Sequence, residues 1–174
     1  MNVRRAGLDD APAIAAVHVQ AWQAAYKGIV PAAFLDSLSV EERTTRWRQN
    51  LAVGASTVCV AEASEGVVGW ASVGACRDAN PPAGTGELWA IYVAPGSWRH
   101  GVGRAMWAWG QSHLEQAGFT SAVVWVLEDN RSARRFYATV GFVPTPDATK
   151  MVEIGGVSLP EVRLRAPRLG TARA

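Results

Sequence analysis

Charge is scarce in this chain and nowhere concentrated. Charged residues make up 18% of it, the formal net charge is +2, and there is no basic block or charged tail. That gives no support for nucleic acid as the principal partner, since phosphate backbones are met by clustered cations. Cysteine is almost missing. Only Cys59 and Cys76 occur, both in strand-like runs and without metal or redox spacing. They read as buried thiols in a reducing compartment, and a disulfide framework is excluded. The three histidines, His18, His100 and His113, show no metal-ligand spacing either. No apolar run is long enough to span a bilayer, and Met1 leads straight into Asn-Val-Arg-Arg. No membrane partner is therefore expected, and cytoplasm is the expected compartment. Lysine is rare, two against fifteen arginines, and alanine is abundant. This points to a GC-rich, bacterial genome and says nothing of function. Internal repeats and low-complexity tracts are also missing.

What is present is an ordinary globular composition, 49% hydrophobic over 174 residues. That is enough for one domain with a real core, spanning 1–174, and too few for two. The most informative stretch is Tyr92-Val-Ala-Pro-Gly-Ser-Trp-Arg-His-Gly-Val-Gly-Arg104. Leu88 to Val93 reads as a strand, and Gly101 and Gly103 open a helical run through Met106, Trp107 and Leu114. A glycine-rich turn between strand and helix gathers backbone N–H groups at the positive end of a helix dipole, which suits a phosphate. A dinucleotide fingerprint would need a third glycine where Met106 stands. A P-loop would need Lys then Ser/Thr where Arg104-Ala105 stands. A loop that only caps a helix stays open at this point.

A second segment narrows the choice. After the apolar run Ala122 to Leu127 comes Asn130-Arg-Ser-Ala-Arg-Arg-Phe-Tyr-Ala-Thr-Val-Gly-Phe142. On a helix starting near Asn130, positions 130, 134 and 137 share a stripe with Ala133. Phe136, Tyr137 and Val140 continue its apolar side, and Arg131 and Arg135 point away. Gly141 suits a helix end, and Phe142-Val143 begins another strand.

These two segments resemble the GNAT family of acyl-CoA-dependent N-acyltransferases. The family pattern of a strand followed by R/Q-x-x-G-x-G/A is similar to Trp98-Arg-His-Gly-Val-Gly103. Its later pattern N-x-x-A-x-x-F-Y-x-x-x-G-F is filled at every fixed position by residues 130–142. Trp98 departs from the usual Arg or Gln, and the arginine is displaced to Arg99. The resemblance extends to Val3-Arg-Arg-Ala6 and the Trp22, Tyr26 and Pro31 region, nearly the whole chain. It implies an α/β fold: a mixed, mostly antiparallel, twisted sheet flanked by helices, in the order β-α-α-β-β-β-α-β-α-β-β.

The sequence places a strand at 2–6 and a helix after Asp9 or Asp10, with Pro12 in its first turn and Ile14, Val17, Ala21 and Ala25 facing inward. Helical pieces follow between Ala32 and Leu51. A hairpin over 56–63 and 67–76, a strand at 85–93, a helix at 101–117, a strand at 121–127 and a helix at 130–140 come next. Strand-like runs at 149–154 and 157–165 turn at Gly155-Gly156. Fraying is expected from Pro167.

The resemblance implies acetyl-CoA (coenzyme A) as the acyl donor. Its pantetheine arm would pair with Ile91, Tyr92 and Val93. Its pyrophosphate would sit over Arg99, His100, Gly101, Val102, Gly103, Arg104 and Ala105, with Asn130 and Ala133 also against the cofactor. The cluster Arg131, Arg134 and Arg135 either meets a 3′-phosphate or is a solvated helix face. Tyr137 fits the acid that protonates the leaving thiolate, because a phenol stays protonated near neutrality. Glu87 is the candidate base; four residues before Ile91, it would share a strand face with Trp89, Ile91 and Val93 unless a bulge intervenes. Trp22, Tyr26 and Trp47 lie in the helices that wall the acceptor pocket in the proteins this chain resembles, with Trp22 and Tyr26 the substrate-binding candidates; a plain core role is the alternative for such aromatics. The expected function is direct transfer of acetyl to a primary amine of a small molecule or peptide in a ternary complex. The alternative is a non-catalytic acyl-CoA-binding module. A homodimer is allowed, and no metal is expected.

Overall fold

The computed structural model describes residues 1–169. Seven strands form one sheet in the order β1-β2-β3-β4-β5-β7-β6. They are β1 (Asn2–Arg5), β2 (Thr57–Ala63), β3 (Gly66–Ala75), β4 (Thr85–Val93), β5 (Ser121–Leu127), β6 (Val143–Ile154) and β7 (Val157–Ala166). Every pairing is antiparallel except β4 with β5. The helices are α1 (Ala11–Ala25), α2 (Ala32–Asp36), α3 (Val40–Val53), α4 (Val102–Gln116) and α5 (Arg131–Thr139). The α/β architecture and the element order expected from the sequence are observed.

Two cores lie on opposite faces of the sheet. Met106, Trp107 and Leu114 of α4 and Tyr137 of α5 pack on Ala71, Val73, Leu88, Val124 and Val126. Ile14, Ala15 and Val17 of α1 and Trp47 of α3 pack on Val58, Val60 and Trp70. Strand alternation sends neighbouring residues to these two faces. Local chemistry sets the helix ends. The Ser39 hydroxyl accepts from the Glu42 N–H at 3.2 Å to cap α3, and the Asn130 side chain accepts from the Ala133 N–H at 3.1 Å to cap α5. Asp10 does not cap α1 as expected. Its carboxylate is taken by Arg4, at 2.8 Å from each oxygen, and by the Gly7 N–H at 2.7 Å.

Three further differences from the sequence reading have local causes. The strand expected to begin at Phe142-Val143 and the run expected at 149–154 are one strand, β6, because its register with β7 breaks between Pro144 and Thr149 and then resumes. Cys59 is buried but Cys76 is only half-buried, just past the end of β3. The chain after Pro167 is tied down through Leu169, whose N–H donates to the Thr120 carbonyl at 2.9 Å; the expectation for residues 170–174 lies outside the described residues.

Two irregularities position the site. β4 and β5 pair only at Thr85–Glu87 with Ser121–Val123. Beyond that point they diverge, leaving the rest of β4 with an open edge. On its other side β4 carries a bulge: Leu88 pairs with Val73 and Ala90 with Ser72, so Trp89 has no partner.

Candidate active site

The open edge of β4 can be assigned residue by residue. The Ala94 N–H donates to the Val68 carbonyl at 2.8 Å. By alternation the backbone groups of Tyr92 also face β3, and those of Ile91 and Val93 face the gap. Of the three residues expected to pair with a pantetheine arm, Tyr92 is therefore turned away. Its side chain is in the opposite core, where its hydroxyl lies 2.9 Å from that of Tyr26. Trp98, at the position where the sequence departs from the family pattern, folds back. Its indole N–H donates to the Val93 carbonyl at 2.7 Å, on the open edge.

The loop after β4 exposes donors. Arg99 has φ 65 and Gly101 φ 82, both left-handed, and this curls the chain into the start of α4. Among the described residues, no backbone N–H from Arg99 to Arg104 has a protein acceptor; the first helical bond runs from the Ala105 N–H to the Gly101 carbonyl at 3.0 Å. Consecutive free N–H groups at a helix N-terminus form an anion cradle. Gly101 faces open space, whereas Gly103 does not. A Cβ at Gly103 would lie 3.0 Å from Cε2 of Phe136. Gly103 thus lets α4 and α5 approach, a role the sequence reading had assigned to contact with phosphate. Val102 is buried, and Arg99, His100 and Arg104 are exposed.

α5 brings Tyr137 to the α4 side of the gap. Its ring packs against Phe136 and Phe142, and the residue is 6% exposed. Its hydroxyl makes no hydrogen bond among the described residues. Burial first, then the nearby Tyr92 and Glu161, raises its pKa well above that of an ordinary phenol, so it holds its proton through neutrality. Asn130 is buried and spends its carbonyl on the cap, and Ala133 packs beside it. Arg134 donates to the Glu128 carbonyl at 3.1 Å, while Arg131 and Arg135 are exposed.

Glu87 is not where alternation alone would put it. The bulge at Trp89 shifts the pleat, so Leu88, Ile91 and Val93 share the α4 face and Glu87 joins Ala90 and Tyr92 on the α1 face. Its side chain is 1% exposed, and both oxygens are engaged. The Arg77 N–H donates at 2.8 Å and the Arg77 guanidinium donates through Nε at 3.1 Å and through Nη2. It is an ion-paired anchor rather than the free strand-end carboxylate the sequence suggested.

The α1 face carries an aromatic wall. Trp22 and Tyr26 meet edge to face at 4.9 Å, and Arg43 lies over the Trp22 ring at 5.5 Å. Inside it, His18 stacks on Tyr92 with centroids 5.4 Å apart and accepts the Trp47 indole N–H at Nδ1, 3.3 Å. An indole only donates, so His18 is the Nε2–H tautomer. Burial, with Arg43 adding to it, pushes its pKa down to about 3.

Beside Glu87 a cavity of about 350 Å³ opens between Arg77, Trp89, Trp125, Lys150 and Glu161. Sequence reasoning missed Lys150 and Glu161. Their pairing was available from the predicted hairpin, because counting back from the Gly155-Gly156 turn places them opposite one another.

A family model described as the acetyltransferase (GNAT) family matches residues 19–142. The chain belongs to this family. It is 38% identical over 174 residues to the uncharacterized N-acetyltransferase YuaI of Bacillus subtilis, covering 99% of this chain and 96% of that protein. Among solved structures, the ribosomal-protein-alanine N-acetyltransferase of Brucella melitensis superposes with a TM-score of 0.73 at 22% identity, over 95% of this chain and 98% of that one. The yncA protein of Salmonella typhimurium, solved with acetyl-CoA, gives 0.72 at 22% identity, over all of this chain and 96% of that one. These two likenesses concern the fold. In this GNAT chain the matched span runs from α1 to Phe142, and so includes the diverging edge of β4, the N–H loop and Tyr137. Among the described residues, no helix is long and apolar enough to cross a membrane, and no group of three His, Cys, Asp or Glu side chains is placed to hold a metal.

Proposed function

We propose that the protein is an N-acetyltransferase that moves an acetyl group from acetyl-CoA directly to a primary amine of a small molecule or peptide, in a ternary complex and in the cytoplasm. The observation that carries this reading is the juxtaposition of the open β4 edge, the unpaired N–H groups of residues 99–104 and the unpartnered Tyr137 hydroxyl around one gap. The donor set fits the cofactor: the loop offers N–H groups and cations to a pyrophosphate, and the edge offers the N–H and C=O of Ile91 and the N–H of Val93 to an amide-bearing arm, the Val93 carbonyl being met by Trp98. When bound, acetyl-CoA supplies the activated thioester.

The chain's own residues do the rest. Ile91 and Val93 orient the arm, and a strand N–H at the gap polarises a carbonyl placed there. Tyr137, on the α4 face, donates its proton to the departing sulfur. Glu87, on the α1 face, has both oxygens taken by Arg77 and so anchors the start of β4, and the acceptor's proton leaves to solvent. Trp22 and Tyr26 line the acceptor's approach. Calorimetric titration with CoA, followed by thiol release from acetyl-CoA over a panel of amines, tests the reading. CoA binding with amine-dependent thiol release supports it. CoA binding without turnover on any amine returns the chain to a binding module.

A further inference from the structure

Two cations in the cavity sit on tryptophan faces, and they differ in how firmly they are held. Arg77 lies over Trp89 at 4.4 Å and is fixed by its bonds to Glu87. Lys150 lies over Trp125 at 4.1 Å and has a single ionic contact, 3.5 Å to Glu161, with its side chain 47% exposed. An ammonium with one long ion pair and an aromatic face is weakly retained.

The carboxylates divide in the same way. Glu87 is saturated by Arg77. Asp78 accepts from the Trp125 indole N–H at 2.8 Å and lies 2.8 Å from Arg163 Nε. Among the described residues, Glu161 is met only by the loose Lys150. Its side chain is 20% exposed, so it is largely drawn out of water yet is the least satisfied acid in the cavity. Register explains its aim. Glu161 pairs with Leu127 on β5, and Arg163 with Trp125, so this row shares the α1 face with Glu87. Glu161 is also close enough to the reaction gap to raise the pKa of the Tyr92 and Tyr137 phenols.

We propose that the Trp125 face and the Glu161 carboxylate form an alkylammonium subsite for the amine acceptor, and that the Lys150 side chain fills it in the free protein. This rests on the acetyl-transfer reading for its purpose but not for its evidence. The chemistry is that of a primary amine on a short alkyl stem: a face for the charge to stack on, a carboxylate to pair with it, and a volume suited to a small ligand. The Lys150 side chain is itself a butylammonium, so it shows the pose. Acceptors with an unbranched aminoalkyl end fit, and neutral isosteres do not.

The probe is n-butylammonium, with n-butanol as the neutral control, titrated into the full chain by NMR with and without CoA. Lys150→Ala, which vacates the subsite, is expected to bind the probe several-fold more tightly than the parent. Adding Glu161→Gln to that background is expected to weaken binding roughly tenfold, with n-butanol unaffected throughout. Melting curves confirm that both variants are folded. Equal affinity in Lys150→Ala and the parent, or unchanged affinity on adding Glu161→Gln, overturns the subsite. The readout is amine binding rather than turnover, so its failure is separate from that of the CoA titration.

Discussion

Replacing Tyr137 by Phe removes one hydroxyl and leaves the ring against Phe136 and Phe142. A merely structural tyrosine would be expected to use that hydroxyl in a buried hydrogen bond, whose loss costs about 1 kcal/mol. Here it has no partner among the described residues and the residue is 6% exposed. Deleting it breaks no protein hydrogen bond, so stability should hold to within about 1 kcal/mol, roughly 2–4 °C in Tm for a chain of this size. The chemical step should suffer instead. Without a donor the thiolate leaves unprotonated, and kcat should fall roughly 10²- to 10⁴-fold, about 3–5 kcal/mol of transition-state stabilisation. CoA affinity should not change, because the loop and strand edge are untouched. Steady-state kinetics, calorimetry and a melting curve on this one variant make the measurement. A Tyr137→Phe protein with near-parental kcat and a Tm lowered by more than about 4 °C would refute the reasoning on both counts.

Arg77→Ala should destabilise the fold by roughly 1–3 kcal/mol, discounted because Arg77 is half exposed, by stranding a Glu87 that is 1% exposed; adding Glu87→Gln should recover much of the loss in urea melts. Because His18 is held near pKa 3 when folded and returns to about 6.5 when unfolded, the unfolded chain binds the extra proton between those values. Stability should therefore decline as pH falls from about 6.5 toward 3, with a slope approaching 1.4 kcal/mol per unit, and His18→Gln should lose about one proton of that slope. Gly103→Ala should lower Tm despite Ala's higher helix propensity, because its Cβ meets Phe136, and Phe136→Leu should relieve the loss.

The elements of this fold were legible because their periodicities are strong and their punctuation is plain. Asn130 announces α5, Gly155-Gly156 the last hairpin, and the run 85–93 the central strand. What the sequence hid was parity. Nothing in Glu87-Leu-Trp-Ala-Ile91 marks Trp89 as the bulged residue, and one extra residue moves Glu87 to the opposite face. The Arg77 partner was hidden too, since it reaches Glu87 across a loop and pairing of that kind leaves no local pattern. Trp98 was visible as a departure, but its fold-back onto the Val93 carbonyl depends on an acceptor five residues earlier being free. The aromatic wall was half legible: Trp22 and Tyr26 were singled out from α1, whereas the Tyr26–Tyr92 hydroxyl contact joins elements 66 residues apart. Lys150 and Glu161 could have been paired from the turn alone, had the cavity between them been known.

The brevity of the β4–β5 pairing also has a mechanical meaning. Three residue pairs are all that stitch the β1–β4 half of the sheet to the β5–β7 half. Cooperativity along a sheet passes through its ladders, and here the ladder thins to a seam. With so short a ladder, local opening should start along that line. A ligand lying in the seam would replace missing rungs, and the amides of Ile91 and Val93 would pass from being among the fastest-exchanging in the central strand to being protected. The molecule would then be completed as a continuous sheet only while it is loaded.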